Sequence, residues 1–303
     1  MTSLATSEQG ETKVTTTNNK SNITTIPSTL TTEQLDNINE LRINLGEDLP
    51  KLARDDLTMY RFLVARDWVV KDSEEMLRNH LVWRQERFPI PRARWQNDPM
   101  FMNGAIFPFG YDKAGRPVLV IRSGKFCPNE RDLENCLAAA VSQIVELFRS
   151  NGGFSKMTIV YDRQDFSLSE NLDKPLLKAL AKIFSDNYPE TLHAALVYPC
   201  GWVLRGIWAV VQYFFDVKTR SKIHMLAGPD SFKEHIDADQ LVEEVGGTAK
   251  YAYNKDTFVN GFPEICQDPW QEQTDDVVAD VVADVVADVV ADVVATDVAS
   301  DIE

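Results

Sequence analysis

The chain has 303 residues, 44% hydrophobic and 25% charged, a globular composition long enough for one large domain or two modest ones. Its net charge of −15 is uneven: twelve acidic residues and no Lys or Arg lie from Glu264 onward, so residues 1–263 carry only −3. A nearly neutral body does not resemble a nucleic-acid footprint, which needs clustered positive charge, although it leaves room for a local basic patch. Cys127, Cys136, Cys200 and Cys266 form no C-x-x-C spacing, which excludes a zinc ribbon and points to a reducing, cytoplasmic setting.

Residues 1–30 are polar and rich in Thr, Ser and Asn, and are expected to be disordered. They lack the basic start and apolar run of a secretory signal. Thr31 with Gln34 makes a capping-box pattern, and Leu35, Ile38, Leu41 and Leu45 follow at helical spacing. A second helix is expected through Leu57, Tyr60, Phe62 and Leu63. A third should start at Asp72 and Glu75 and carry Met76, Leu77 and Leu81 to Phe88. Residues 31–95 therefore read as a helical bundle.

From 96 to 262 the pattern changes. Short β-rich runs at 105–109, 117–121, 158–161, 194–198 and 223–226 alternate with helical ones. Asp112-Lys113-Ala114-Gly115 is a turn cluster, so the first two runs should form a hairpin. One helix carries Leu133, Leu137, Val141, Ile144 and Phe148; another carries Leu172, Leu176, Leu180 and Phe184. Strand–helix–strand alternation predicts crossover units. The class is α/β: an N-terminal helical bundle, then a mixed, largely parallel sheet with flanking helices.

Residues 194–215 are apolar but broken by Pro199, Gly201, Arg205, Gly206 and Gln212, too short an uninterrupted run to span a bilayer. They read as strand, turn and helix. The helix from Trp202 has Val203, Ile207, Val210 and Phe214 on one face and Trp202, Leu204, Trp208, Val211 and Phe215 on the others. A helix apolar on nearly every side is either buried on every side or sometimes meets lipid. From 263 to 303 the tail is acidic and of low complexity, with Asp-Val-Val-Ala in five tandem copies over residues 276–295. A solvated duplicated tail or a partner-binding helix would each account for it.

Several landmarks occur in order: Tyr60-Arg61-Phe62-Leu63-Val64-Ala65-Arg66, Asn79-His80-Leu81-Val82-Trp83-Arg84, Tyr111 through Pro117, Asp186-Asn187-Tyr188-Pro189-Glu190, Lys222-Ile223 and Val245-Gly246-Gly247. Together they resemble the CRAL-TRIO lipid-binding family with its N-terminal helical domain, over roughly residues 52–247. The resemblance implies a non-catalytic carrier that encloses one lipid in an apolar cavity floored by the sheet. The segment from Trp202 to Phe215 would act as a mobile gate that docks transiently on membranes, and no cofactor or metal is implied. Met157, Ile159 and Tyr161 would line the cavity. In the phosphatidylinositol-binding members, positions matching Glu190, Lys222 and Arg66 contact the headgroup: a Lys can meet phosphate and a carboxylate can accept sugar hydroxyls. Asp67 and Thr191 replace residues that are often basic, and Met157 and Ile159 replace the small hydroxyl residues associated with choline lipid. The implied cargo is phosphatidylinositol, with an isoprenoid- or retinoid-type ligand as the alternative.

The sequence also bears on two other classes. A lipid-free interaction module using the same fold would rely on the acidic tail to hold a protein partner. An enzyme reading would use Cys200 and Arg205 as a phosphate cradle. The loop between them is one residue short of that motif and carries bulky Trp202, Val203 and Leu204. His80, His193, His224 and His235 form no metal-binding spacing.

Overall fold

The computed structural model describes residues 26–47, 49–150, 156–211, 217–256 and 270. Thr31 opens the first helix, α1 (Thr32–Leu45): its hydroxyl accepts the Gln34 N–H at 3.2 Å and the Gln34 side chain accepts the Thr31 N–H at 3.0 Å. The capping box thus satisfies two donors that a helix start leaves open. Asp55 caps α2 (Asp56–Ala65) by accepting from Leu57 and Thr58. Helix α3 (Val70–Arg87) starts two residues before Asp72, directly after the left-handed pair Asp67 and Trp68, with Val69 carbonyl accepting the Ser73 N–H. Ile38, Leu41, Leu45, Met59, Phe62, Leu63, Met76 and Leu77 form the bundle core. Ile26 and Leu30 pack on it from the segment expected to be disordered, and so does Trp270 from the segment expected to be tail.

After the short α4 (Pro99–Met102) comes a five-stranded sheet in the order β1 (Ile106–Tyr111), β2 (Pro117–Arg122), β3 (Met157–Asp162), β4 (Leu192–Tyr198), β5 (Ile223–Met225). The first pair is antiparallel and the other three are parallel. The hairpin turn is held by buried Asp112, whose carboxylate accepts the N–H groups of Ala114 and Arg116, the Arg116 Nε–H and the Thr158 hydroxyl. The crossovers are α5 (Leu133–Ser150), α6 (Lys174–Asn187) and the pair α7 (Trp202–Val211) and α8 (Val217–Ser221). Helix α6 begins after Leu172, because Asp173 caps it through the Leu176 N–H and is itself gripped by both arms of Arg131 at 2.6 Å.

The sheet has one sealed face. Val118, Val120, Val160, Ala194 and Leu196 are buried against Phe232, Ile236, Leu241, Val242 and Val245 from the C-terminal segment. Gly246 and Gly247 let that segment turn: Gly246 has φ +100°, and a Cβ on Gly247 would stand 1.8 Å from the Leu241 carbonyl oxygen.

Candidate functional site

The opposite sheet face is assembled by register. Ile121 pairs with Tyr161, Ile159 with Ala195, Tyr161 with Val197, Ala195 with Ile223 and Val197 with Met225. Residues paired across neighbouring strands share a face, and all of these are only half-buried. Met157 lies on the same face but is sealed with Leu119 beneath Leu147 of α5. Of the three expected lining residues, Ile159 and Tyr161 therefore stand in the half-open part. Burial pushes the Tyr161 phenol up, against a hydrogen bond with Ser123, so it is a neutral side chain at physiological pH.

At the amino ends of β3, β4 and β5 stand Lys156, Glu190 and Lys222. Parallel neighbours bring their starts together, so three residues distant in sequence meet at one corner. Lys222 Nζ is 3.6 Å from Glu190 Oε1, and Lys156 Nζ donates to Glu190 Oε2 at 3.1 Å. The corner thus joins the expected Glu190 and Lys222 and adds Lys156, which no motif flagged. Its one sequence signal was its place just before a strand.

Glu190 has φ +58° in a turn closed by buried Thr191, whose hydroxyl donates to the Tyr188 carbonyl at 2.7 Å. The departure at Thr191 therefore closes this turn. From the bundle, buried Arg61 donates through Nε to the Pro189 carbonyl at 3.0 Å. Burial pushes its pKa down to about 9, with Asp55, Tyr188 and Glu190 opposing the shift. Arg66, expected at this site, sits at the carboxyl end of α2 with Nη1 3.4 Å from the Ala65 carbonyl. Arg61 is the arginine tied to the corner. Burial, and secondarily the Glu190 charge, raises the Tyr60 phenol.

Helix α7 presents Trp202 at 85% exposure, with Leu204 and Trp208 half-buried. Val203, Ile207 and Val211 lie on the same helix; Phe214 and Phe215 lie outside the described residues, as does the Asp-Val-Val-Ala repeat. Cys200 donates to the Val197 carbonyl at 2.9 Å, and burial pushes its thiol up, the reverse of what an attacking thiolate requires. Arg205 points Nε at the Cys200 carbonyl, 3.3 Å away.

A polar cleft of about 310 Å³ opens at the carboxyl ends of β2 and β3, lined by Arg122, Lys125, Asp162, Asp165 and Glu244 among others. Its carboxylates outnumber its cations, and Arg122 already lies 3.3 Å from Glu244, so it is a poor anion site. Among the described residues no group of three or more His, Cys, Asp or Glu side chains could hold a metal ion. No described helix is long and apolar enough to cross a membrane.

Comparison with known proteins gives a consistent picture. The CRAL/TRIO domain profile matches residues 101–247 and the CRAL/TRIO N-terminal domain profile matches residues 33–79. A CRAL-TRIO domain-containing protein of Schizosaccharomyces pombe is 32% identical over 61% of this chain and 56% of its own length. The phosphatidylinositol/phosphatidylcholine transfer protein SFH4 of Arabidopsis thaliana is 32% identical over 73% of this chain and 40% of its own. The chain thus spans about half the length of the curated relatives it matches. The crystal structure of Sfh5 superimposes with a TM-score of 0.58 at 17% identity, covering 77% of this chain and 93% of that one, a likeness of fold.

Proposed function

Because the chain belongs to the CRAL/TRIO family, we propose that it encloses one lipid against the half-open sheet face and exchanges it at membrane surfaces without a chemical step. The observation that carries this reading is the half-buried apolar face from Ile121 to Met225, adjoining a charged corner at Glu190 and Lys222. Ligand sites generally combine a large apolar lining with a few convergent polar groups. The strand order runs in one direction from β2 to β5, and the right-handed rule for parallel crossovers would put the α7–α8 connection on the same side of the sheet as α5 and α6. Helix α7 is therefore suited to act as the gate. Trp202 is suited to headgroup depth when the gate meets a bilayer.

The cargo we assign is phosphatidylinositol. Lys222 meets the phosphate and Glu190 accepts ring hydroxyls. Met157 and Ile159 offer no hydroxyl to a choline headgroup. The names of relatives such as the Arabidopsis thaliana protein SFH4 refer to phosphatidylinositol and phosphatidylcholine transfer, which supports the lipid class. The test is mass spectrometry of lipids that co-purify with the protein and with Lys222→Ala. Phosphatidylinositol should be bound by the parent and lost from the variant. A different lipid held equally by both would keep the carrier and sink the headgroup site. Empty protein that also takes nothing from liposomes would sink the carrier.

A further inference from the structure

The headgroup corner holds a cation that the family resemblance does not supply. Lys156 leads into β3 and hydrogen-bonds one oxygen of Glu190 at 3.1 Å, while Lys222 leads into β5 and stands 3.6 Å from the other oxygen. The three side chains are 28%, 24% and 18% exposed for Lys156, Lys222 and Glu190. One carboxylate and two ammonium groups carry a net charge of +1, in surroundings where charge acts more strongly than in bulk water. Arg61 adds a guanidinium behind Pro189. A lysine suits such a role, because its compact ammonium on a flexible stem can turn from a carboxylate to a phosphate.

We infer that Lys156 is a specificity-determining residue that fits this corner to a phosphomonoester, so that the preferred cargo is an inositol lipid with a further phosphate on its ring. The inference rests on the headgroup reading of Glu190 and Lys222. Glu190 takes ring hydroxyls, Lys222 takes the phosphodiester, and Lys156 takes the ring phosphate. A phosphomonoester brings about 1.5 to 2 negative charges at neutral pH, which the second ammonium meets. A soluble inositol phosphate offers the same chemistry without the acyl chains, and the experiment separates the two.

The full chain is incubated with phosphatidylcholine vesicles containing equal amounts of phosphatidylinositol and phosphatidylinositol 4-phosphate, then re-isolated, and its bound lipids are quantified by mass spectrometry. The parent should be enriched in the 4-phosphate. Lys156→Gln should lower that enrichment, read as the ratio of the two lipids bound, about tenfold, the scale of one charge-assisted hydrogen bond. Lys156→Arg should keep most of the enrichment. Thermal melting of the variants checks folding. An unchanged ratio in Lys156→Gln overturns the assignment and leaves the carrier standing. Uptake of some other lipid by the parent, with neither inositol lipid bound, overturns the headgroup reading along with it. Calorimetry with inositol 1,4-bisphosphate provides the last arm. Lys156-dependent binding there, in protein that takes up no inositol lipid, assigns the corner to a free phosphate ligand and overturns the lipid form.

Discussion

The two faces of the central sheet are built from nearly the same residue types and are finished differently. On one, Val118, Val120, Val160, Ala194 and Leu196 are each at most 2% exposed. On the other, Ile121, Ile159, Tyr161, Ala195, Val197, Ile223 and Met225 are all half-buried. Connections cause the difference. The C-terminal segment, turned by Gly246 and Gly247, lies across the first face. On the second, α5 and α6 bring Phe148 and Phe184 onto Leu119, Met157 and Ile159. Alternation along a strand says which side chains share a face; the cover over each face decides which of them is sealed.

The largest effect should separate neighbouring residues of β4. Leu196→Ala empties a fully buried site and should cost about 2–5 kcal/mol. Val197→Ala, one residue on and facing the other way, should cost less than about 1 kcal/mol, since a half-buried methyl group loses less. Urea unfolding of lipid-free protein measures both, and equal losses would erase the distinction between the faces.

Adding bulk reverses the contrast. Ile159→Trp on the half-open face should reduce lipid uptake from vesicles severalfold while changing stability by less than about 1 kcal/mol. Val160→Trp, pointing into the sealed layer, should cost about 1–3 kcal/mol or more through overpacking. If Ile159→Trp loads lipid as well as the parent, that face is not where lipid lies.

Much of this architecture was legible in the sequence because it is set locally. The Thr31 capping box, the Asp112–Gly115 turn and the five strands follow from side-chain periodicity and turn chemistry. The Glu190–Lys222 pair was legible through motif resemblance, and strand order explains why it meets. Lys156 was missed because a lone lysine before a strand carries no pattern; only the placement of β3 beside β4 makes it a neighbour of Glu190. Arg61 rather than Arg66 reaches Pro189 because α2 turns Arg61 inward, toward the sheet domain. Trp270 was illegible as a core residue, because its partners His80 and Arg84 lie some way off in the chain and only tertiary packing joins them.

The smallest effect on either face is expected from pH, because their apolar side chains do not titrate in the physiological range. Acid should act instead at the joint between bundle and sheet. His80 on α3 is fully buried among Phe62, Trp83, Tyr188 and Trp270, and its Nδ1–H donates to Asn187 Oδ1 at 3.0 Å. Burial, with the nearby Arg84 charge second, holds its pKa well below 6.5. The unfolded chain therefore takes up a proton near pH 6.5 that the folded chain refuses. His80's contribution to stability is complete above that pH and declines as pH falls through it. Burial lowers His193 and His235 as well, so they act with the same sign. Replacing His80 with Gln keeps a donor for Asn187 and removes the titration, so the variant's stability should fall less between pH 7 and pH 5. Asn187 leads straight into Tyr188, Pro189 and Glu190, so hydrogen exchange at mild acid should rise over residues 187–191 before it rises in β3 or β4. Simultaneous loss of protection in the sealed strands would show that acid opens the whole sheet rather than the corner at Glu190.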